Sequence, residues 1–140
     1  MTEDSTVPTI EPARTTRRSI DAVLADARSR LHRMTPTEAV TALHAGAVVV
    51  DIRPATHREA EGGPEDVLVV ERNVLEWRFD PASDARLPVA DYNLQVIVLC
   101  QEGYSSSLAA AALQDLGIWR ATDVIGGWAA WRSQCILSHR

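Results

Sequence analysis

The stretch from Gln95 to Leu116 constrains this chain most. It reads Gln95-Val-Ile-Val-Leu99, then Cys100-Gln-Glu-Gly-Tyr-Ser-Ser106, then Ser107-Leu-Ala-Ala-Ala-Ala-Leu-Gln-Asp-Leu116. The first segment is a short, almost uninterrupted apolar run rich in β-branched residues. That is the pattern of a strand buried on both faces of a parallel sheet. The last segment places Leu108, Ala109, Ala112, Leu113 and Leu116 at helical spacing. A buried strand, a tight polar turn and a helix follow one another, and a cysteine is the first residue of the turn.

That placement has chemical consequences. Open α/β sheets bind ligands at the carboxyl ends of their strands. The turn feeds a helix N-terminus, where unpaired amides and the positive end of the dipole favour an anion. A thiolate is such an anion, so Cys100 is the candidate nucleophile. Gly103 can take the positive-φ conformation that curls a loop so that its N–H groups point inward. Ser105 or Ser106 is expected to cap the helix. The opposing reading is a small buried hydrophobe at a strand end; the polar and glycine residues that follow Cys100 suit a wet loop better than a core.

The rest of the chain alternates in the same way. Ala47–Asp51, Val67–Val70 and Ala121–Ile125 read as further strands, and Gly126-Gly127 as a tight turn. Ile20, Val23, Leu24, Ala27 and Leu31 mark one face of an amphipathic helix with Ser19 at its start. Thr35-Pro-Thr-Glu38 is a capping box with proline at the first helical position, opening a helix that Gly46 stops. Ala55–Glu61 and Trp128–Ile136 read as two more helices, and residues 74–93 carry little beyond a helical turn at Val74–Trp77. Strands alternating with helices predict an α/β fold, a central mostly parallel sheet of about five short strands with helices on both faces. Residues 1–18 hold almost no large apolar groups and are expected to be a disordered tail. Residues 19–33 then form an N-terminal helix that docks on the sheet layer or on a partner chain, and residues 34–140 form the domain proper.

Composition removes several function classes. A chain of 140 residues is one domain's worth, and its formal charge of -5 gives nucleic-acid binding no bulk support. All basic residues are arginines, so lysine chemistry is excluded. His32, His44, His57 and His139 make no metal spacing with Cys100 and Cys135, so neither metal nor cofactor is expected. Two cysteines make no disulfide framework, and no apolar run has the length of a membrane span or the form of a leader. A reducing cytoplasm is the expected compartment.

Three motifs together resemble the rhodanese-like sulfurtransferase domain: Asp51-Ile-Arg53 after a strand, the Cys100–Ser106 loop before a helix, and Gly126-Gly127-Trp128-Ala-Ala-Trp131 near the end. The resemblance runs from about Thr35 to the C-terminus and is similar in order and separation. It implies a rhodanese-like fold in which Cys100 takes a sulfane sulfur from thiosulfate or a related donor and passes it to cyanide or a thiol. By the same resemblance, Gln101, Glu102, Gly103, Tyr104, Ser105 and Ser106 form the loop that holds the persulfide, and Asp51 and Arg53 are structural. Two departures leave the donor open. Glu61-Gly-Gly-Pro-Glu-Asp66 stands where the family often has Gly-His-Ile-Pro-Gly-Ala, and Ser105 stands where many loops carry a basic residue.

Other residues are weighed against blander roles. Arg72, after the third strand segment, is a candidate contact for an anionic donor or a solvated surface arginine. Trp128, Trp131 and Cys135 share a helical face and read as core. Glu102 is expected to point away from an anionic substrate. A cysteine phosphatase or arsenate reductase uses a similar loop but needs an arginine to close it, where this chain has Ser105, Ser106 and Ser107. A non-enzymatic binding module, or one that senses redox state or persulfide, is the remaining alternative. The expected partners are a small anionic sulfur donor and a thiol or cyanide acceptor, with a homodimer through the N-terminal helix as a further arrangement.

Overall fold

The structure, a computed structural model, describes residues 17–138, with side chains through residue 134. Residues 1–16 of the expected 1–18 tail and the side chain of Cys135 lie outside the described residues. The elements run α1 (Ile20–Ser29), α2 (Pro36–His44), β1 (Val48–Asp51), α3 (Ala55–Glu61), β2 (Leu68–Val69), a 3-10 turn (Arg72–Val74), α4 (Leu75–Phe79), β3 (Val96–Leu99), α5 (Ser105–Asp115), β4 (Thr122–Asp123) and α6 (Gly127–Ser138). The sheet has the order β2-β1-β3-β4, and every pairing in it is parallel.

Four strands form among the described residues, against the expected five or so. A single parallel bridge, Met34 to Val124, lies beside β4 where a fifth strand would run. It stops there because Thr35 already caps α2. Its hydroxyl accepts from the Glu38 amide, the Glu38 carboxylate accepts from the Thr35 amide, and Pro36 begins the helix. A residue committed to a helix cap has no extended neighbour with which to propagate a ladder.

Both faces of the inner strands β1 and β3 are covered, residue by residue, while the edge strand β2 leaves Leu68 and Val69 exposed. Val96, Val98 and Cys100 point to one face together with Val50, under Ala109, Ala110 and Leu113 of α5 and Leu75 and Phe79 of α4. Ile97 and Leu99 point to the other with Val49, under Ala39 of α2 and Trp128 and Trp131 of α6. A two-residue period with both phases apolar is what produces the near-continuous run read in β3. Leu75 and Phe79, one turn apart on α4, are fully buried and anchor the segment whose sequence carried least pattern. The first helix, capped by the Ser19 hydroxyl on the Ala22 amide, packs along α5.

Candidate active site

Cys100 continues the alternation of β3 onto the α5 face and is only 6% exposed. Its Sγ accepts the backbone N–H of Gly103 at 3.2 Å and of Ser106 at 3.3 Å. The second bond explains how α5 begins. Tyr104 occupies the N-cap position and its side chain makes no cap bond. Ser106 is the second helical residue, whose N–H is one of those a capping side chain normally accepts. Here the sulfur accepts it, so the thiol itself caps the helix at the positive end of its dipole. The expected serine cap is thereby corrected. Ser105 is exposed, and the Ser106 and Ser107 hydroxyls turn away from the loop to donate to Asp123 Oδ2, each at 2.7 Å.

The loop's carbonyls are tied down from outside. The N-terminus of α6 takes two of them: the Trp128 amide donates to the Cys100 carbonyl at 2.8 Å, and the Ala129 amide to that of Gln101 at 3.0 Å. The Gly103 carbonyl accepts Arg28 Nη2 at 2.7 Å and Arg33 Nη2 at 3.1 Å. Gly103 itself has φ +87°, and a Cβ there would stand 2.8 Å from the Gly126 nitrogen, so only glycine fits without a backbone shift. Glu102 is exposed, and Tyr104 is 60% exposed with the Arg28 guanidinium 5.5 Å from its ring centre.

Asp51 and Arg53 brace the loop from the β1 side. The buried guanidinium holds both Asp51 carboxylate oxygens, with Nη2 to Oδ2 at 2.8 Å. It also donates to the Gly62 carbonyl and to the Gln101 side chain, and lies 5.4 Å from the Trp128 ring centre. One side chain thus joins the end of β1, the end of α3, the cysteine loop and α6. Arg72 sits in the 3-10 turn beyond β2, at the same edge of the sheet. Its Nη1 donates to Glu76 at 2.8 Å, and among the described residues no polar contact joins it to the Cys100 loop.

Residues 35–134 match the Rhodanese-like domain. This chain belongs to the rhodanese-like family. Among curated relatives, the domain is similar to the thiosulfate sulfurtransferase GlpE of Pseudomonas savastanoi pv. phaseolicola, 29% identical over 72% of this chain and 87% of that protein. It is also similar to the adenylyltransferase and sulfurtransferase MOCS3-1 of Zea mays, 34% identical over 60% of this chain but only 18% of that protein. The chain therefore spans less than a fifth of the first curated relatives it matches. A solved structure from Rhodopseudomonas palustris CGA009, of a protein of unknown function described as a possible tyrosine phosphatase, superposes with a TM-score of 0.76 at 30% identity. The match covers 88% of this chain and 96% of that one.

The rhodanese domain places Cys100, Gly103 and Ser106 together around the sulfur and pairs Arg72 with Glu76. Three residues at the loop were absent from the sequence reading: Arg28, Arg33 and Asp123. Asp123 is buried at the end of β4, bound by Arg33 Nε at 2.8 Å and by the Ser106 and Ser107 hydroxyls. It carried a signal, because it stands at a strand end as Asp51 does. Arg28 and Arg33 carried none, since 75 and 70 residues separate them from the Gly103 carbonyl they hold. Both lie before the matched rhodanese segment.

Proposed function

We propose that this rhodanese domain is a sulfurtransferase that carries sulfane sulfur as a persulfide on Cys100. The observation behind this reading is the convergence of the Gly103 and Ser106 amides on Cys100 Sγ at the start of α5. Donors fixed in advance around a site of negative charge stabilise that charge without reorganising. The Cys100 thiolate attacks the outer sulfur of thiosulfate; the new S–S bond forms as the old one breaks, and sulfite leaves with the electron pair. Cyanide or an acceptor thiolate then attacks the terminal sulfur, and the Cys100 thiolate is released as leaving group. One side chain thus divides a direct encounter of two anions into two steps. The likeness to GlpE, named as a thiosulfate sulfurtransferase, supports thiosulfate as donor. The reducing cytoplasm is the compartment that keeps such a thiol available.

Phosphatase chemistry fits less well. It needs an arginine closing the loop to clamp a tetrahedral oxyanion. Ser106 and Ser107 stand at the closing positions, with their hydroxyls committed to Asp123.

The test is intact mass after thiosulfate treatment. Wild-type protein gains the mass of one sulfur and loses it on addition of cyanide, while Cys100→Ser gains none and keeps the wild-type melting temperature. Sulfur loading on Cys100→Ser would remove the proposed carrier.

A further inference from the structure

The loop of this domain lacks the basic residue that many of its relatives carry, yet positive charge reaches it from elsewhere. We infer that Arg28 and Arg33, which precede the rhodanese segment, are positioning residues that orient the Cys100 cradle through the Gly103 carbonyl. This rests on the reading of Cys100 as the sulfur carrier.

The geometry follows from the planarity of the peptide. In a trans peptide the C=O and the N–H of the next residue point in opposite directions. The Cys100 and Gln101 carbonyls are pinned on the outside by the amides of α6, which leaves the Gln101 and Glu102 N–H groups facing the other way. Among the described residues no helix terminus reaches the Gly103 carbonyl; two guanidiniums hold it instead. By the same planarity the Tyr104 N–H points away from the guanidiniums. The two arginines also set two cations against the carbonyl of the same residue whose N–H donates to the sulfur, so Gly103 is held at both ends.

Each guanidinium is fixed by a further contact. Arg28 Nε donates to Ser107 Oγ at 3.0 Å, and its plane lies near the Tyr104 ring. Arg33 grips both oxygens of Asp123, the carboxylate that also holds Ser106 and Ser107 at the start of α5. The segment between α1 and α2 is stitched to β4 as well, through the Met34 amide on the Asp123 carbonyl and the Ile125 amide on the Met34 carbonyl. The first helix, outside the family match, thereby becomes part of the active-site apparatus. The charge that many rhodanese loops carry at the position of Ser105 is supplied here from α1 and the segment after it.

A purely structural role would make these arginines a clasp between α1 and α5, and Arg30 serves as the comparison. It joins α1 to Asp115 of α5 at 2.9 Å without touching the loop. Two rates are read on each variant: sulfur loading of Cys100 by thiosulfate, and alkylation of Cys100 by neutral iodoacetamide followed on its peptide by mass spectrometry. Arg28→Gln is expected to slow both by about five- to tenfold, the range set by losing part of a charge-assisted hydrogen bond. Arg28→Lys restores a cation and one donor for Gly103 but not the Ser107 contact, and is expected to recover most of the loss, to about two- to threefold below wild type. Arg30→Ala should match wild type in both rates. Arg33→Lys keeps a cation for Asp123 but lacks the fork to reach Gly103 as well, and is expected to slow both about two- to threefold; it carries the test if Arg28→Gln does not fold. The inference is overturned if Arg28→Gln reacts as wild type, if Arg28→Lys is as slow as Arg28→Gln, or if Arg30→Ala is slowed equally. Should wild-type protein take no sulfur from thiosulfate, the proposed donor fails, and the alkylation rates still decide the role of the arginines.

Discussion

Two strand ends flank the Cys100 loop, and they are built alike from different materials. On one side β1 ends at Asp51, on the other β4 ends at Asp123; both carboxylates are buried and both are gripped by an arginine through two oxygens. At β1 the arginine arrives two residues later and is itself buried. At β4 it comes from 90 residues earlier in the chain and keeps 17% of its side chain exposed. The near pair is a local turn closed by its own strand. The far pair is a tertiary clasp and, unlike the near pair, its arginine joins Arg28 in tying the N-terminal segment to the loop's backbone.

The difference sets which side is more costly to break. Arg53→Ala leaves the Asp51 carboxylate with only the residue 53 amide as donor, in a site sealed from water. Removing one partner of such a buried pair costs about 3–5 kcal/mol, and we expect a loss in that range by urea unfolding. Arg33→Ala leaves Asp123 two hydroxyl donors and a partly wet opening, so its cost should be smaller, about 2–3 kcal/mol. A larger loss in Arg33→Ala than in Arg53→Ala would reverse the comparison and make the tertiary clasp the principal support of the fold.

The same contrast explains what could be read from the sequence. The order of strands and helices, the buried character of β3, the capping box before α2 and the Asp51-Ile-Arg53 turn are all encoded within a few residues of one another, where periodicity and capping rules apply. Among the described residues four strands form rather than about five, because the bridge at Met34 is cut short by the cap at Thr35. A serine cap on α5 does not form because a cysteine six residues before Ser106 accepts the amide that a capping side chain would otherwise take. Arg28 and Arg33 were illegible for the reason that makes them interesting: a loop built from separated segments leaves no spacing to recognise.

Gly103 tests the loop between the two clasps. Its positive φ and the 2.8 Å approach of the Gly126 nitrogen to a would-be Cβ leave no room for a branched side chain. Gly103→Val should abolish sulfur loading while lowering stability by only about 1–3 kcal/mol, the cost of a strained backbone position. The distinction between loop and scaffold depends on that split. Wild-type loading in Gly103→Val would mean that the amide cradle does not need this conformation, and a global collapse would mean that the loop itself is part of the scaffold.

The third strand end at this edge, after β2, gives the smallest effect and the sharpest contrast. It has no buried acid; its arginine, Arg72, pairs one helical turn ahead with Glu76, and the two side chains are 40% and 27% exposed. Exposed pairs of this spacing contribute about 0.3–0.5 kcal/mol, so Arg72→Ala should barely move the unfolding midpoint. Its effect on the donor is the more informative measurement. With Nη1 held by Glu76, Arg72 is neutralised before an anion arrives, and the KM for thiosulfate is expected to stay at its wild-type value. If KM instead rose in Arg72→Ala, and the rise vanished at high ionic strength, Arg72 would contribute long-range attraction for a dianion. The positive charge serving this site would then come from the β2 edge as well as from the arginines behind Gly103.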